Sequence, residues 1–417
     1  MPLSVPSLIV PFVVLTWPAT PAAQPPPASP VPVLTLGEAL ARAESASPLV
    51  RRAQAERQVV AAREVGASLL LPSNPVLAAG AGPYRDPAGQ SIELLAHGEQ
   101  TVEIGGQRAA RRAVVRHATE AAGWREQAAR VETRARVRAA YVGAQLAHVQ
   151  QEAAAAREAL MLALLDAVWA RVSGGASSDV DLEQARLERG VAVRAQLEAR
   201  AAEIDALARL RALIGMPAAQ PLAVDPQVAA PPPRAERLPV LLERAERQRA
   251  ELAALRAGGN ELDAEITRLR REAIPSPTLF VDFERDRAGQ YFVAGGVSIP
   301  IPVWRRQQGE LALARADRAR LEDERALAAR DVASEVARAY QLAQADAATV
   351  ALLDRETLPA ADAVVKLLTD GWRAGKFDLF RVLQTTRDAS EARRLYLETL
   401  GSLWEATIAL DRAVGTP

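Results

Sequence analysis

Apolar residues recur at alternating spacings of three and four over a long stretch in the first half of the chain. The recurring positions include Val131, Val142 and Leu160, and most of the others are alanine. This spacing is typical of a coiled-coil seam, and alanine lets neighbouring helices approach closely. We therefore predict a continuous helix at about 107–172 and a second at about 306–372, each about 100 Å long at roughly 1.5 Å per residue.

Two shorter segments show a period of two residues instead. Residues 278–303 alternate apolar and polar side chains around a turn near Gly289, and residues 76–104 do so around a turn near Gly89. Alternation of this kind predicts β-strands with one apolar face. Each segment is therefore predicted to be a β-hairpin whose other face is polar or acidic. That polar face is expected to carry Glu93, His97, Glu99, Asp282 and Glu284.

The whole order of elements is present twice. Arg42-Ala43-Glu44 recurs as Arg244-Ala245-Glu246, so matching residues lie about 200 positions apart along the chain. Each copy is predicted to contain a helix, a β-hairpin, a long helix, a tight turn and a return helix. The predicted organisation is a first copy at 34–216, a Pro-rich connector at 217–234 and a second copy at 235–415, with β-hairpins at about 76–104 and 278–303 and long helical hairpins at about 107–215 and 306–414.

A Thr-x-x-Glu capping box predicts where the first helix begins. Thr35 and Glu38 occupy its two positions, and Pro72 and Pro75 are expected to end the helix. We therefore expect one unbroken helix up to this point, and its counterpart at about 235–275 in the second copy.

The N-terminal residues have the pattern of an export signal. An apolar run is followed by small residues near Ala22 and Ala23, which suits cleavage by signal peptidase. We therefore expect a signal peptide at 1–23 and an extended Pro-rich linker at 24–33. No Lys or Arg precedes the apolar run, and the alternative is an apolar tail. No later segment offers about eighteen uninterrupted apolar residues, so a helical membrane span is not expected.

The composition excludes several classes of protein. Lys plus Arg and Asp plus Glu each number 51, so no net charge attracts nucleic acid. Cysteine is absent, which argues against disulfides, thiolate metal sites, Cys nucleophiles and a lipidated N-terminal Cys. Aromatic residues make up 4% of the chain and hydrophobic residues 49%, a mix that favours long, closely packed helices.

No constellation of residues indicates chemistry. The three histidines are His97, His117 and His148, and none lies three or four residues from another, so no metal site is predicted. Paired carboxylates are frequent on the helices, where solvated coiled-coil faces explain them better than general acid and base catalysis. No phosphate-binding or dinucleotide motif is complete. We therefore expect neither an enzyme nor a bound cofactor.

The duplicated order of elements resembles the TolC-like family of bacterial outer membrane efflux proteins, particularly its heavy-metal and multidrug branches. The resemblance covers nearly all of the chain after the signal. It rests on the hairpin between helices in each copy, on the helix opening at 34–40, and on turns at Gly175 and Gly375 followed by Gln184 and Gln384. It implies a mainly α-helical fold with a membrane β-barrel portion: a homotrimer with one twelve-stranded barrel and a periplasmic α-helical coiled-coil barrel.

The resemblance also implies a passive exit duct in the outer membrane, with helices extending into the periplasm. Its implied partners are a periplasmic adaptor (membrane fusion protein), an inner-membrane efflux pump and outer membrane lipid, but not nucleic acid. The pump would choose the cargo, such as heavy-metal cations or drugs. Two alternatives remain open: a periplasmic adaptor, which would show one helical hairpin flanked by more strands, and an exported coiled-coil structural protein without a pore.

The turns between the long helices and the return helices carry mixed charge. In the resembling family this end is the periplasmic entrance, closed by hydrogen bonds and ion pairs between helices and contacted by the adaptor, while the polar hairpin face lines the lumen. The candidate gate and adaptor-contact residues are Arg171, Gly174, Gly175, Asp179, Asp181, Asp370, Arg373, Gly375, Asp378 and Arg381. Asp179 and Asp378 also stand where helix N-caps are expected, so ordinary capping is the alternative role.

Neutralising Asp370 and Asp378 together is expected to raise the single-channel conductance, because it would remove charges that hold the entrance closed. Planar-bilayer recordings of the Asp370→Asn, Asp378→Asn double variant measure this. An unchanged conductance would remove both residues from the gate.

Overall fold

The computed structural model describes residues 33–87, 89–285 and 288–416. The predicted signal peptide at 1–23 and all but the last residue of the predicted linker at 24–33 lie outside these described residues. The described chain is mostly helical, and its main elements occur in the same order in both copies. None of the helices within the described ranges is both long and apolar enough to cross a membrane.

The duplicated unit of helices, β-hairpin and long helical pair is present in both halves. The elements of the first copy are β1 (Val33–Leu34), α1 (Leu36–Ala46), α2 (Pro48–Ala67), β2 (Val76–Asp86), β3 (Gly89–Thr101), α3 (Gln107–Ser173) and α4 (Asp179–Leu213). The connector and second copy contain β4 (Ala223–Val224), α5 (Leu238–Gln248), α6 (Ala250–Glu272), β5 (Thr278–Arg285), β6 (Tyr291–Ser298), α7 (Gln308–Leu352), a π-helical turn (Leu353–Thr357), α8 (Leu358–Arg373) and α9 (Leu379–Val414). Parallel pairing of β1 with β4 holds the connector beside the start of the first copy.

Both opening helices are broken, so the prediction of one unbroken helix in each copy is wrong. The first break is at Ser47, where Pro48 begins α2 and cannot donate a backbone hydrogen bond into α1. The second is at Arg249, whose buried side chain lies 3.1 Å from the Glu335 carboxylate and donates to the carbonyl of Arg412 at 3.1 Å. The second break therefore coincides with a tertiary contact and has no proline to mark it in the sequence.

Glycines at the ends of the return helices fit against these breaks. Gly215 follows α4 with a φ of 68°, and a Cβ there would lie 2.6 Å from the Cβ of Ala46. Gly415 follows α9 with a φ of 80°, and a Cβ there would lie 3.0 Å from the carbonyl oxygen of Gln248. The end of the last helix in each copy is thus packed against the break in its first helix.

The long helix is α-helical throughout in the first copy and contains a π-helical turn in the second, so the predicted helical stretch at 306–372 is present with a local change in its hydrogen bonding. α3 runs through 67 residues. Between α7 and α8, five residues adopt π-helical hydrogen bonding, and Pro359 follows in the first turn of α8. Proline has no amide hydrogen for the carbonyl four residues earlier, and the wider turn accommodates this loss. The corresponding residue of the first copy is Ala159.

The predicted seam of α3 is buried in the middle of the helix and drifts around it towards the turn. Val131 and Val142 are buried, but nearer the turn Met161 and Val168 are buried while the predicted Leu160 is partly exposed. An α-helix has about 3.6 residues per turn, so a pattern of period 3.5 moves about 20° around a straight helix in each heptad.

The core consists of small clusters distributed along the helices. In one, Tyr141 packs with Leu210 and donates its hydroxyl hydrogen to the carbonyl of Leu34 at 2.9 Å. A second lies near the helix turns, where Val168 of the first copy packs with Trp372 of the second. Both copies therefore contribute to burial at the turns.

The four hairpin strands form one antiparallel sheet in the order β2-β3-β5-β6. β3 pairs with β5 from Leu94↔Arg285 to Thr101↔Thr278, and this pairing joins the hairpins of the two copies. β2 and β6 are the edge strands of the sheet in the described chain.

One face of this sheet is apolar and exposed in the single chain. Leu279, Val281 and Val293 lie on it, and each is at least half exposed. Because side chains alternate along a strand, the polar residues between them lie on the other face.

Replacing Gly415 with Ala is expected to destabilise the protein, because the new side chain would require a positive φ and would meet the backbone of Gln248. We expect the free energy of unfolding to fall by about 1–2 kcal/mol. Circular dichroism during thermal unfolding in detergent measures this loss. Gly190→Ala is the matched control, since Gly190 lies inside α4 with no atom within 4 Å of its added Cβ. A melting temperature for Gly415→Ala equal to that of Gly190→Ala would contradict the expected clash.

Candidate functional site

The long helices end in two matching turns far from the sheet. After α3, Gly175 has a φ of 70°, and the amide of Ala176 donates to the carbonyl of Arg171 at 2.8 Å. After α8, Gly375 has a φ of 72° and the turn has the equivalent hydrogen bonds. This is the Schellman arrangement, in which the left-handed position favours glycine. Gly174 is the C-cap of α3.

Ser178, rather than Asp179, is the N-cap of α4. Its hydroxyl accepts the amide of Asp181 at 3.2 Å, and the Asp181 carboxylate accepts the amide of Ser178 at 3.0 Å, which forms a capping box. The hydroxyl of Ser177 donates to the same carboxylate at 2.8 Å. The bonds from Ser178 and Ser177 lower the pKa of Asp181. The suggestion that Asp179 is an N-cap is therefore wrong, and this residue is the exposed first residue of α4.

The charged candidates of the second turn contact groups of their own copy. Asp378 is the N-cap of α9, and its carboxylate accepts the amide of Arg381 at 2.8 Å. The guanidinium of Arg381 lies 5.8 Å from the centre of the Phe377 ring. Asp370 and Arg373 lie 3.9 Å apart at the end of α8, and both are exposed. Capping and local pairing thus account for these side chains within the described chain.

One polar contact at the turns links the two copies. Nη1 of Arg171 donates to the carbonyl oxygen of Trp372 at 3.0 Å, and the guanidinium lies 5.2 Å from the centre of the Trp372 ring. Trp372 is buried, and Gly371 beside it leaves room for the ring of Phe377. Arg171 was among the predicted residues of this end, whereas Trp372 and Phe377 were not. Trp372 and Phe377 lie close together in the sequence of a chain with only 4% aromatic residues, and this was the signal that could have identified them.

A second link between the copies lies further along the return helices. Glu188 is 1% exposed, and its Oε2 accepts a hydrogen bond from Nε of Arg387 at 3.0 Å. The Glu188 carboxylate raises the pKa of Arg387. A buried carboxylate without a partner is strongly disfavoured, so the pair favours contact between α4 and α9. The pair was not predicted, because buried and solvated charges on helices look alike in a sequence.

The residues predicted for the polar face do lie on one face of the sheet. Register places His97 directly opposite Asp282, with Glu284 two residues further along β5. Nδ1 of His97 lies 2.7 Å from Oδ1 of Asp282, and Nε2 lies 3.5 Å from Oε2 of Glu99. Glu93 is four residues from His97 on β3 and therefore shares its face. We call these five residues the carboxylate face.

Neutral side chains complete the carboxylate face. The hydroxyls of Thr101 and Thr278 are hydrogen-bonded at 3.0 Å. The ring of Phe280 stacks against that of His97, with 6.3 Å between the ring centres, and covers Gly296 on β6. In the part of the chain that the structure describes, no group of three His, Cys, Asp or Glu residues is arranged to hold a metal ion.

These features define the class of protein. A sheet with one apolar and one polar face is attached to helices of up to 67 residues whose far ends carry tight turns. This is the architecture of a subunit of an elongated membrane channel with a helical extension.

Comparison with known proteins agrees with this class. The sequence pattern of the family described as outer membrane efflux protein matches residues 241–416. The cobalt-zinc-cadmium resistance protein CzcC of Cupriavidus metallidurans is 29% identical over 317 residues, which cover 75% of this chain and 75% of that protein. The solved structure of CusC matches with a TM-score of 0.73 over 92% of both chains at 16% identity. VceC of Vibrio cholerae matches with a TM-score of 0.72 over 91% of this chain and 96% of its own at 17% identity.

The solved structures show the shared fold, and the family and CzcC matches add sequence similarity to it. Together they show that the chain is similar to TolC-like outer membrane efflux proteins in sequence and in fold. It is a channel protein of the outer membrane whose helices extend into the periplasm, and the family consists of efflux channels rather than enzymes. These matches favour the channel over the adaptor and over a coiled-coil protein without a pore.

Proposed function

We propose that three identical subunits, each one whole chain, form one exit duct, to which an inner-membrane efflux pump delivers cargo through a periplasmic adaptor. The observation that carries this proposal is the open sheet, in which edge strands β2 and β6 flank an exposed apolar face. In lipid, each unsatisfied backbone group costs several kcal/mol, so both edges must find partners. Pairing β6 of one subunit with β2 of the next subunit satisfies both edges.

Three subunits supply twelve strands, because each chain contributes four strands to the sheet. The apolar face with Leu279, Val281 and Val293 then contacts outer membrane lipid, and the carboxylate face lines a water-filled lumen. The long helices continue this passage through the periplasm as a coiled-coil barrel. Such a duct performs no reaction and consumes no energy, since the pump drives transport.

The cargo we propose is a divalent heavy-metal cation. CzcC, which is 29% identical to this chain, is named for resistance to cobalt, zinc and cadmium. The carboxylate face attracts cations electrostatically, while its side chains do not gather into a metal-binding group among the described residues. A duct that attracts cations without holding them suits their passage.

We further propose that the two links between the copies keep the periplasmic end narrow. The Arg171 and Trp372 contact joins α3 to the end of α8, and the Glu188 and Arg387 pair joins α4 to α9. Widening this end separates the two copies and therefore breaks both contacts. The exposed charges around the turns, Asp179 among them, remain free to form the surface that the adaptor contacts.

The protein is expected to be recovered from detergent-extracted outer membranes as a trimer that copurifies with an adaptor. In cells, deleting its gene is expected to lower tolerance to cobalt, zinc or cadmium and to leave tolerance to drugs unchanged. Sedimentation of the extracted complex and growth assays measure the two outcomes. A soluble periplasmic monomer would contradict the assembly, and a loss of drug tolerance alone would contradict the cargo.

Glu188→Gln is expected to raise single-channel conductance by more than the Asp370→Asn, Asp378→Asn double variant, because it weakens a link between copies. Exchanging the pair, as Glu188→Arg with Arg387→Glu, is expected to return the conductance towards that of the unaltered protein.

Arg393→Ala is the matched control for this experiment in planar bilayers. Arg393 lies 3.1 Å from Asp362, so this pair joins α8 to α9 within the second copy and does not link the copies. If the control raised the conductance as much as Glu188→Gln, general loosening of the helices would explain the effect and the gate would be ruled out.

A further inference from the structure

His97 is placed where it contacts carboxylates with both ring nitrogens. Its Nδ1 lies 2.7 Å from Asp282 on the neighbouring strand, and its Nε2 lies 3.5 Å from Glu99 on its own strand. The side chain is 38% exposed, so water reaches it from the polar side of the sheet. The contact with Asp282 also spans the pairing of β3 with β5, which joins the two copies.

The other strands add no further base to this face. The residue of β2 directly opposite His97 is Ala78, and the residue of β6 opposite Asp282 is Ala294. Among the described side chains of the face, the remaining titratable groups are Glu93 on β3 and Glu284 on β5. His97 is thus the one basic group among four carboxylates in the described part of this face.

The charge of this face depends on the protonation of His97. A neutral imidazole has one N–H donor and can donate to only one of the two carboxylates, whereas the protonated ring donates to both and carries a positive charge. Imidazole is the side chain whose charge changes in the ordinary physiological range of pH. Protonation offsets one of the four carboxylate charges in each chain, and in a lumen lined by these side chains such a change alters the local concentration of cations.

We propose that His97 is a specificity-determining residue of the duct, which sets its preference for cations and makes that preference depend on pH. The proposal rests on the proposed trimeric channel, in which the carboxylate face lines the lumen. At higher pH the neutral His97 leaves the carboxylates uncompensated, so cations are strongly preferred. At lower pH the charged ring weakens this preference.

The test is the reversal potential of single trimers in planar bilayers under a potassium chloride gradient, at about pH 8 and about pH 5.5. The variants are His97→Gln, which cannot be protonated, and His97→Arg, which is always charged. His148→Gln is the matched control. His148 also contacts two carboxylates, with Nδ1 2.7 Å from Glu203 and Nε2 3.4 Å from Glu152, but it lies in the middle of α3 and not in the sheet.

In the unaltered protein and in His148→Gln, the ratio of cation to anion permeability is expected to fall about 1.5-fold on acidification. His97→Gln is expected to keep the high ratio at both pH values, and His97→Arg the low ratio at both. The two variants hold position 97 in its neutral and in its charged state, respectively. If one of them misfolds, the other still tests the proposal.

The inference is overturned if His97→Gln or His97→Arg shows the same pH dependence as the unaltered protein, or if His148→Gln abolishes it. A conducting trimer with pH-independent selectivity would overturn the role of His97 and leave the proposed duct intact. A purified trimer without any ion-conducting pore would overturn the duct and the inference together.

Discussion

The pairing of β3 with β5 is the interaction on which the rest of the structure depends. It joins two hairpins from separate copies into one sheet, with a register that places His97 opposite Asp282. A slip of one residue would turn these side chains to opposite faces, so the register fixes both the apolar face and the carboxylate face. In this order of strands β3 and β6 run in the same direction. Because α3 follows β3 and α7 follows β6, the pairing also brings these two helices to the same end of the sheet.

Duplication supplies two similar sets of elements, but the contacts between the sets are asymmetric. Arg387 binds Glu188 across the copies, whereas the residue that corresponds to Arg387 in the first copy is Leu187. Likewise, Pro359 follows a π-helical turn in the second copy, and Ala159 leaves α3 continuous. The repeated pattern therefore maintains the common fold, while the differences between the copies determine how they meet at the periplasmic end.

The candidate site was predictable where a short-range pattern defines it and not where distant helices meet. Alternation along the strands placed the five charged and imidazole side chains of the carboxylate face correctly, and the glycines of both turns were recognised. Charge at the turns was less informative, since Asp181 and Asp378 cap helices through bonds to residues within a few positions. The link through Glu188 was missed, because its burial depends on the packing of α4 against α9.

The sequence by itself determined the class of this protein. The periods of about 3.5 and of two residues define which faces of helices and strands are apolar, and the repeat defines their order, because both depend on neighbours along the chain. Only the tertiary structure decided where the opening helix of the second copy breaks, at Arg249, and which charges join the copies. Along a helix of 67 residues, a small rotation of the helix about its axis changes which side chains face a neighbouring helix. That rotation is set by packing between helices rather than by any local signal.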